Sequence, residues 1–154
     1  MTIARIILAG LVASTLTFAF DGDTFAAKFD SLPKAVKETA KAHMDNAFPV
    51  SISSAQSEKG WDYQINTRVD GKYHDLVIDE NGKLVAVKDE ADMASLPTAV
   101  RAAIEKQAAT AKIVTLEKVT EGGQVSYGAV MRHNAQGSTV QVRVAADGTV
   151  RSKK

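Results

Sequence analysis

Cysteine is absent from the 154 residues. That excludes a disulfide framework, thiol catalysis, cysteine-based zinc sites and lipid attachment through an N-terminal cysteine. Aromatic residues make up only 6% of the chain, too few for a platform on which bases stack. Neither sign of charge dominates: 19 Lys and Arg stand against 18 Asp and Glu, a net charge of +1. The basic stripe that phosphate-backbone binding needs is missing, so nucleic acid is not an expected partner. The motifs of common catalysts are missing as well. There is no Gly-x-Ser-x-Gly elbow, phosphate loop, His-Glu-x-x-His or dinucleotide fingerprint.

What is present begins with a distinct N-terminus. Arg5 supplies one positive charge, and Ile6 through Phe20 carries none. The run is short of the roughly 20 residues that span a bilayer. A charged start, an apolar middle and small residues at a cleavage site describe a secretory signal peptide. Thr17-Phe18-Ala19 and Thr24-Phe25-Ala26 both fit the cleavage pattern. The second is preferred because Asp21-Gly22-Asp23 supplies a polar stretch ahead of it. Residues 1–26 are therefore read as a signal peptide of an exported protein, with no stable membrane span after its removal.

The remainder repeats itself. Ser31-Leu32-Pro33-Lys34-Ala35-Val36 returns as Ser95-Leu96-Pro97-Thr98-Ala99-Val100 at a spacing of 64, which Tyr63 and Tyr127 keep. Further on the spacing is 66: His74, Leu76 and Ile78 match Val140, Val142 and Val144, and Asn81-Gly82-Lys83-Leu84 matches Asp147-Gly148-Thr149-Val150. The two extra residues fall in the turn around His133-Asn134-Ala135-Gln136-Gly137. The expected organisation is a first repeat over 27–88, an acidic linker over 89–94 and a second repeat over 95–154.

Each copy opens as a helix. Ser31 and Ser95 are expected N-caps, with Pro33 and Pro97 in the first turn, where a missing N–H costs nothing. Leu32, Ala35, Val36, Ala40, His43, Met44 and Ala47 follow the helical period, as do Leu96, Ala99, Val100, Ala103, Ile104, Ala108 and Ala111. Pro49 is expected to end the first helix through its restriction of Phe48. Strict alternation then marks strands. Trp61, Tyr63, Ile65, Thr67 and Val69 alternate with polar neighbours, and Asp70-Gly71 and Asn81-Gly82 are hairpin turns. The fold class is α+β: two tandem repeats, each a helix followed by a four-stranded antiparallel meander, with the helices on one face of the sheets. Units near 60 residues are marginal alone, so the two sheets either share an interface or join edge to edge.

The alternation also assigns faces. The apolar register, with Trp61 and Tyr63 in it, is expected under the helices. The opposite register leaves a polar face with no helix over it. On that face Arg68, Tyr73, Asp75, Arg132, Gln141 and Arg143 are the candidate partner-binding residues, Tyr73 being the aromatic anchor enriched at binding hot spots. The plainer reading of Tyr73, Arg68, Arg132 and Arg143 is that all four keep the open face soluble. His43, His74 and His133 show no metal-ligand spacing, and His74 reads as a partly buried structural residue. Asp79-Glu80-Asn81-Gly82 resembles a calcium loop only superficially. The twelfth position counted from Asp79 is Glu90, but the strand Val85-Ala86-Val87 intervenes. No metal, no cofactor and no catalytic residue is expected.

A Leu-Pro-x-Ala-Val helix start, a Tyr-bearing strand and a strand closing on Asn/Asp-Gly, twice over behind a signal peptide, resembles the PepSY-like proteins. More narrowly, it looks like their beta-lactamase-inhibitor-like group. The resemblance implies bacterial proteins of the periplasm or exterior that bind or inhibit other proteins, peptidases among them. The lactamase inhibitors proper carry disulfides and an aromatic-rich concave face, and this chain has no cysteine and few aromatics. The expected function is a non-enzymatic binding or inhibitory module whose partner is another envelope protein or a peptide. The alternative is a small-ligand or cation-binding periplasmic sensor using the acidic turns.

Overall fold

The computed structural model describes residues 28–109, 111–133 and 137–152. The expected signal peptide and both candidate cleavage sites lie outside the described residues. Among those described, helix α1 (Lys34–His43) precedes β1 (Pro49–Ser57), β2 (Gly60–Val69), β3 (Lys72–Asp79) and β4 (Leu84–Glu90). A 3-10 turn (Met93–Ser95) and helix α2 (Thr98–Ala108) precede β5 (Lys112–Glu121), β6 (Gln124–Arg132), β7 (Thr139–Ala145) and β8 (Val150–Ser152). The strands form one antiparallel sheet in the order β1 to β8. The two halves join edge to edge, with β4 pairing β5 from Ala86↔Glu121 to Glu90↔Glu117.

The repeat is legible down to single hydrogen bonds. Lys37 N–H donates to Pro33 O at 3.0 Å, and Arg101 N–H to Pro97 O at 2.9 Å. Asp79 N–H donates to Lys83 O and Ala145 N–H to Thr149 O, both at 2.9 Å. Tyr63 pairs with Ile78, and Tyr127 with Val144. The 64-residue and 66-residue spacings are thus two registers of one template, offset by the longer β6–β7 turn.

The helix starts differ from expectation in the same way twice. Ser31 Oγ donates back to Lys28 O at 2.7 Å, and Ser95 Oγ to Asp92 O at 2.8 Å. The capping positions are Pro33 and Pro97, held extended at ψ 143° and 144°. An extended proline puts the serine two residues outside the helix, where its oxygen closes the preceding turn instead of meeting helical N–H groups. Pro49 is also not what stops α1. Asp45 and Asn46 take left-handed φ values of 46° and 62° directly after the helix. Asp and Asn tolerate this conformation better than most residues. Pro49 opens the edge strand β1, where a missing ladder donor is harmless.

Each helix covers its own half of the sheet. Leu32, Val36, Ala40 and Met44 pack with Ile65, Leu76 and Ile78. Leu96, Val100, Ile104 and Ala108 pack with Leu116, Ala129, Met131, Val142 and Val144. Size is traded between layers: Ala40 and Ile65 in the first core become Ile104 and Ala129 in the second. The total volume is kept, which close-packed interiors demand. Trp61 was expected in this layer but is 45% exposed. It stands near the start of β2, beyond the apolar positions that α1 presents.

Candidate partner-binding face

Register decides which side chains share the helix-free face. Arg68 pairs with Tyr73, Asn66 with Asp75 and Gln64 with Val77 on β2–β3. Asp75 pairs with Lys88 and Val77 with Ala86 on β3–β4. Lys88 pairs with Val119, Glu117 with Gly128, Gly128 with Arg143 and Val130 with Gln141 across the second half. All six sequence-derived candidates therefore point to one side. They do not converge. Arg68, Tyr73 and Asp75 lie on β2 and β3, whereas Arg132, Gln141 and Arg143 lie on β6 and β7. Four strand spacings separate β3 from β7, roughly 19 Å.

The first group is locally ordered. The Arg68 guanidinium sits 4.1 Å from the centre of the Tyr73 ring, and its Nη1 donates to Gly71 O at 3.0 Å. Tyr73 is 46% exposed, an aromatic surface with a cation already stacked on it. In the second group, Arg143 Nη1 is 3.8 Å from Glu121 Oε2. Arg132 is exposed and Gln141 half-buried.

Asp75 departs from its expected place as a solvent-facing contact. It is only 8% exposed, and its Oδ1 is buried without a hydrogen-bond partner. Burial pushes its carboxyl up to about 6, with Glu117 adding to the rise. Lys88 and the side chains of Gln64 and Asn66 pull the other way. Val77, Ala86 and Val119 are buried on the same face. Around Asp75 stand Lys88 and Glu117, which sequence reasoning did not select. Alternation within one repeat cannot find Glu117. It comes next to β4 only when the two sheets fuse, and that pairing has no signal in either repeat alone.

The acidic segment is not a free linker. Asp89 and Glu90 complete β4, and the segment is tied to the start of β3 residue by residue. Lys72 Nζ meets Asp92 Oδ2 at 2.5 Å, Tyr73 N–H donates to Glu90 Oε2 at 3.1 Å, and His74 Nδ1 lies 2.6 Å from Asp89 Oδ1. The acidic turn proposed as a cation loop is likewise occupied: Asp79 Oδ1 accepts from Asn81 N–H and Lys83 N–H, both at 2.9 Å.

Comparison with solved structures bears on this arrangement. A DUF2874 family protein from Bacteroides uniformis ATCC 8492 superposes with a TM-score of 0.65 at 15% identity, covering 79% of this chain and 88% of that one. A BLIP-like protein from Bacteroides fragilis NCTC 9343 gives a TM-score of 0.60 at 18% identity, covering 80% and 85%. This chain has the DUF2874 and BLIP-like fold. A Bacteroides eggerthii DSM 20697 protein provisionally described as periplasmic shares the fold, with a TM-score of 0.66 at 15% identity over 79% and 88% of the two chains. At such identities the likeness carries architecture, not activity. No protein-family model and no curated protein matches the chain. Among the described residues, no helix is long and apolar enough to cross a membrane.

Proposed function

We propose that the chain is a non-enzymatic binding or inhibitory module of the bacterial envelope. It engages another envelope protein or a peptide through the helix-free face of its sheet. The observation that carries this reading is the face itself. It is eight strands wide, both repeats contribute to it, and among the described residues both helices pack on its other side. It presents an ordered Arg68–Tyr73 stack at one flank and Arg132 and Arg143 at the other, the residue types over-represented at binding hot spots. The shared fold of proteins described as BLIP-like and as periplasmic supports the same reading. A peptidase is the partner class that the PepSY resemblance favours.

Capture of an envelope partner by the immobilised protein tests this, repeated with Tyr73→Ala and Arg143→Ala. Both side chains sit on the sheet surface, so the variants keep the fold. The reading expects each substitution to weaken capture of the same partner at least tenfold. Undiminished capture by both variants would remove the proposed face.

A further inference from the structure

The middle of the helix-free face is acidic. On β3, β4 and β5 it presents Asp75, Glu90, Glu117 and Glu121 around Lys88, while Lys112 stands at the far end of β5 opposite Arg132 and Arg143 reaches in from β7 to Glu121. Glu90 and Glu117 are direct partners across the β4–β5 junction, and like charges placed opposite one another on a sheet cost stability. Glu117 is accommodated by an absence next to it. A Cβ at Gly128 would stand 2.5 Å from Glu117 Oε1, so the carboxylate lies where any other residue would put a side chain. Beside it, Asp75 is 8% exposed with Oδ1 buried and unpartnered. Leaving a carboxylate oxygen buried without a donor costs stability, more than for a neutral group. Lys88 is its register partner but forms no ion pair with it. The fold thus keeps an unfilled acceptor in an acidic cluster where, among the described residues, Arg143 pairs with Glu121 but no ion pair reaches Asp75, Glu90 or Glu117.

We propose that this centre recognises a cationic side chain, a lysine or arginine presented by the bound protein or peptide, with Asp75 Oδ1 and Glu117 as its acceptors. The inference rests on the helix-free face being the binding face, and it adds the chemistry that face selects. Gln64 and Asn66 hydrogen-bond the Asp75 carboxylate, but an ammonium or guanidinium supplies the donor that its Oδ1 lacks and the positive charge that the Glu90–Glu117 pair lacks. Lys88, on a flexible four-carbon stem, is the group that moves aside. A divalent cation fits less well, because the described residues include no group of three or more acidic or histidine ligands able to hold a metal ion.

The test uses a blocked Gly-Lys-Gly-Lys-Gly-Lys-Gly peptide, its acetyl-lysine counterpart and a Glu counterpart, titrated at low salt and followed by amide shifts. The lysine peptide is expected to give saturable shifts centred on Gln64, Asp75, Lys88, Glu117 and Gly128. Asp75→Asn and Glu117→Gln should each weaken it at least tenfold, and Glu38→Gln on α1 should leave it unchanged. Glu117→Gln, on a half-buried side chain, keeps the test decisive if Asp75→Asn disturbs folding. The inference is overturned by an absence of saturable shifts, by equal binding of the acetyl-lysine peptide, by full binding in both variants, or by calcium giving the same shifts at lower concentration. If an envelope partner depends on Tyr73 and Arg143 but not on Asp75 or Glu117, the face stands and the cationic site falls.

Discussion

His74 and Asp89 meet across β3 and β4 with Nδ1 2.6 Å from Oδ1, while His74 Nε2 lies 3.0 Å from His43 O at the end of α1. One imidazole therefore joins two strands to a helix. Burial opposes its charge, but the Asp89 hydrogen bond, the His43 carbonyl and the charges of Asp89 and Asp45 together raise its pKa above the usual histidine value. A folded-state pKa raised above the unfolded one gives stability that is full below about pH 6.5 and is lost as pH rises through the folded pKa. Denaturant midpoints should fall from pH 6 to pH 8. In His74→Val, which copies the second repeat's Val140, that decline should disappear. An unchanged decline in the variant would assign it elsewhere.

Asp75 predicts a second pH dependence, in a lower window. Its folded pKa of about 6 lies above the unfolded value of about 3.9. Folded protein holds this proton where unfolded protein releases it, so stability from this group is greatest below pH ~4, falls between ~4 and ~6, and is flat above. Asp75→Asn should therefore stabilise the protein at pH 7, on the order of 1 kcal/mol after allowance for solvent screening. Urea unfolding at pH 4.5 and pH 7 checks this, and a less stable variant at pH 7 would contradict it.

The exchanged core sizes predict a coupling. Ile65→Ala alone should cost ~2–5 kcal/mol by leaving a cavity, and Ala40→Ile alone ~1–3 kcal/mol by overpacking. Together they reproduce the Ile104 and Ala129 arrangement of the second core. The double variant should be at least ~1 kcal/mol more stable than the sum of the single effects allows. Additive effects in denaturant melts would show that the two positions do not share a space.

Gly82 meets the helix in a way Gly71 does not. At φ +85° a Cβ on Gly82 would stand 2.8 Å from both Cβ and O of Ala35, whereas Gly71 at φ +79° has nothing within 4 Å. Gly71→Ala should cost ~1 kcal/mol for conformation alone. Gly82→Ala should cost at least ~1 kcal/mol more, because the β3–β4 turn must move off α1. Equal losses in thermal melts of the two variants would contradict the close approach.

Periodicity made most of this fold legible. Apolar alternation put Ile65, Leu76, Ile78, Val142 and Val144 on the helix side, and the Ser-Leu-Pro repeat with Asn81-Gly82 and Asp147-Gly148 fixed both copies. It failed where non-local geometry decides. Ser31 and Ser95 look like caps until the extended prolines displace them. Trp61 has the register of a core residue but lies past the end of its helix's apolar stripe. Asp75 alternates as an exposed residue, yet Val77, Ala86, Lys88 and the second repeat's Glu117 gather around it. Of those neighbours, Glu117 is the one that stays invisible without knowing that β4 pairs with β5.

The central claim is that partners bind the helix-free face, and a photo-crosslinking scan tests it most directly. A photoreactive residue is placed at Tyr73, Gln141 or Arg132, or at Lys41 or Lys106 on the exposed sides of α1 and α2, in protein exposed to an envelope extract. The account predicts one shared crosslinked partner from Tyr73, Gln141 and Arg132, and none of it from Lys41 or Lys106. The same partner captured chiefly from the helix positions would contradict it.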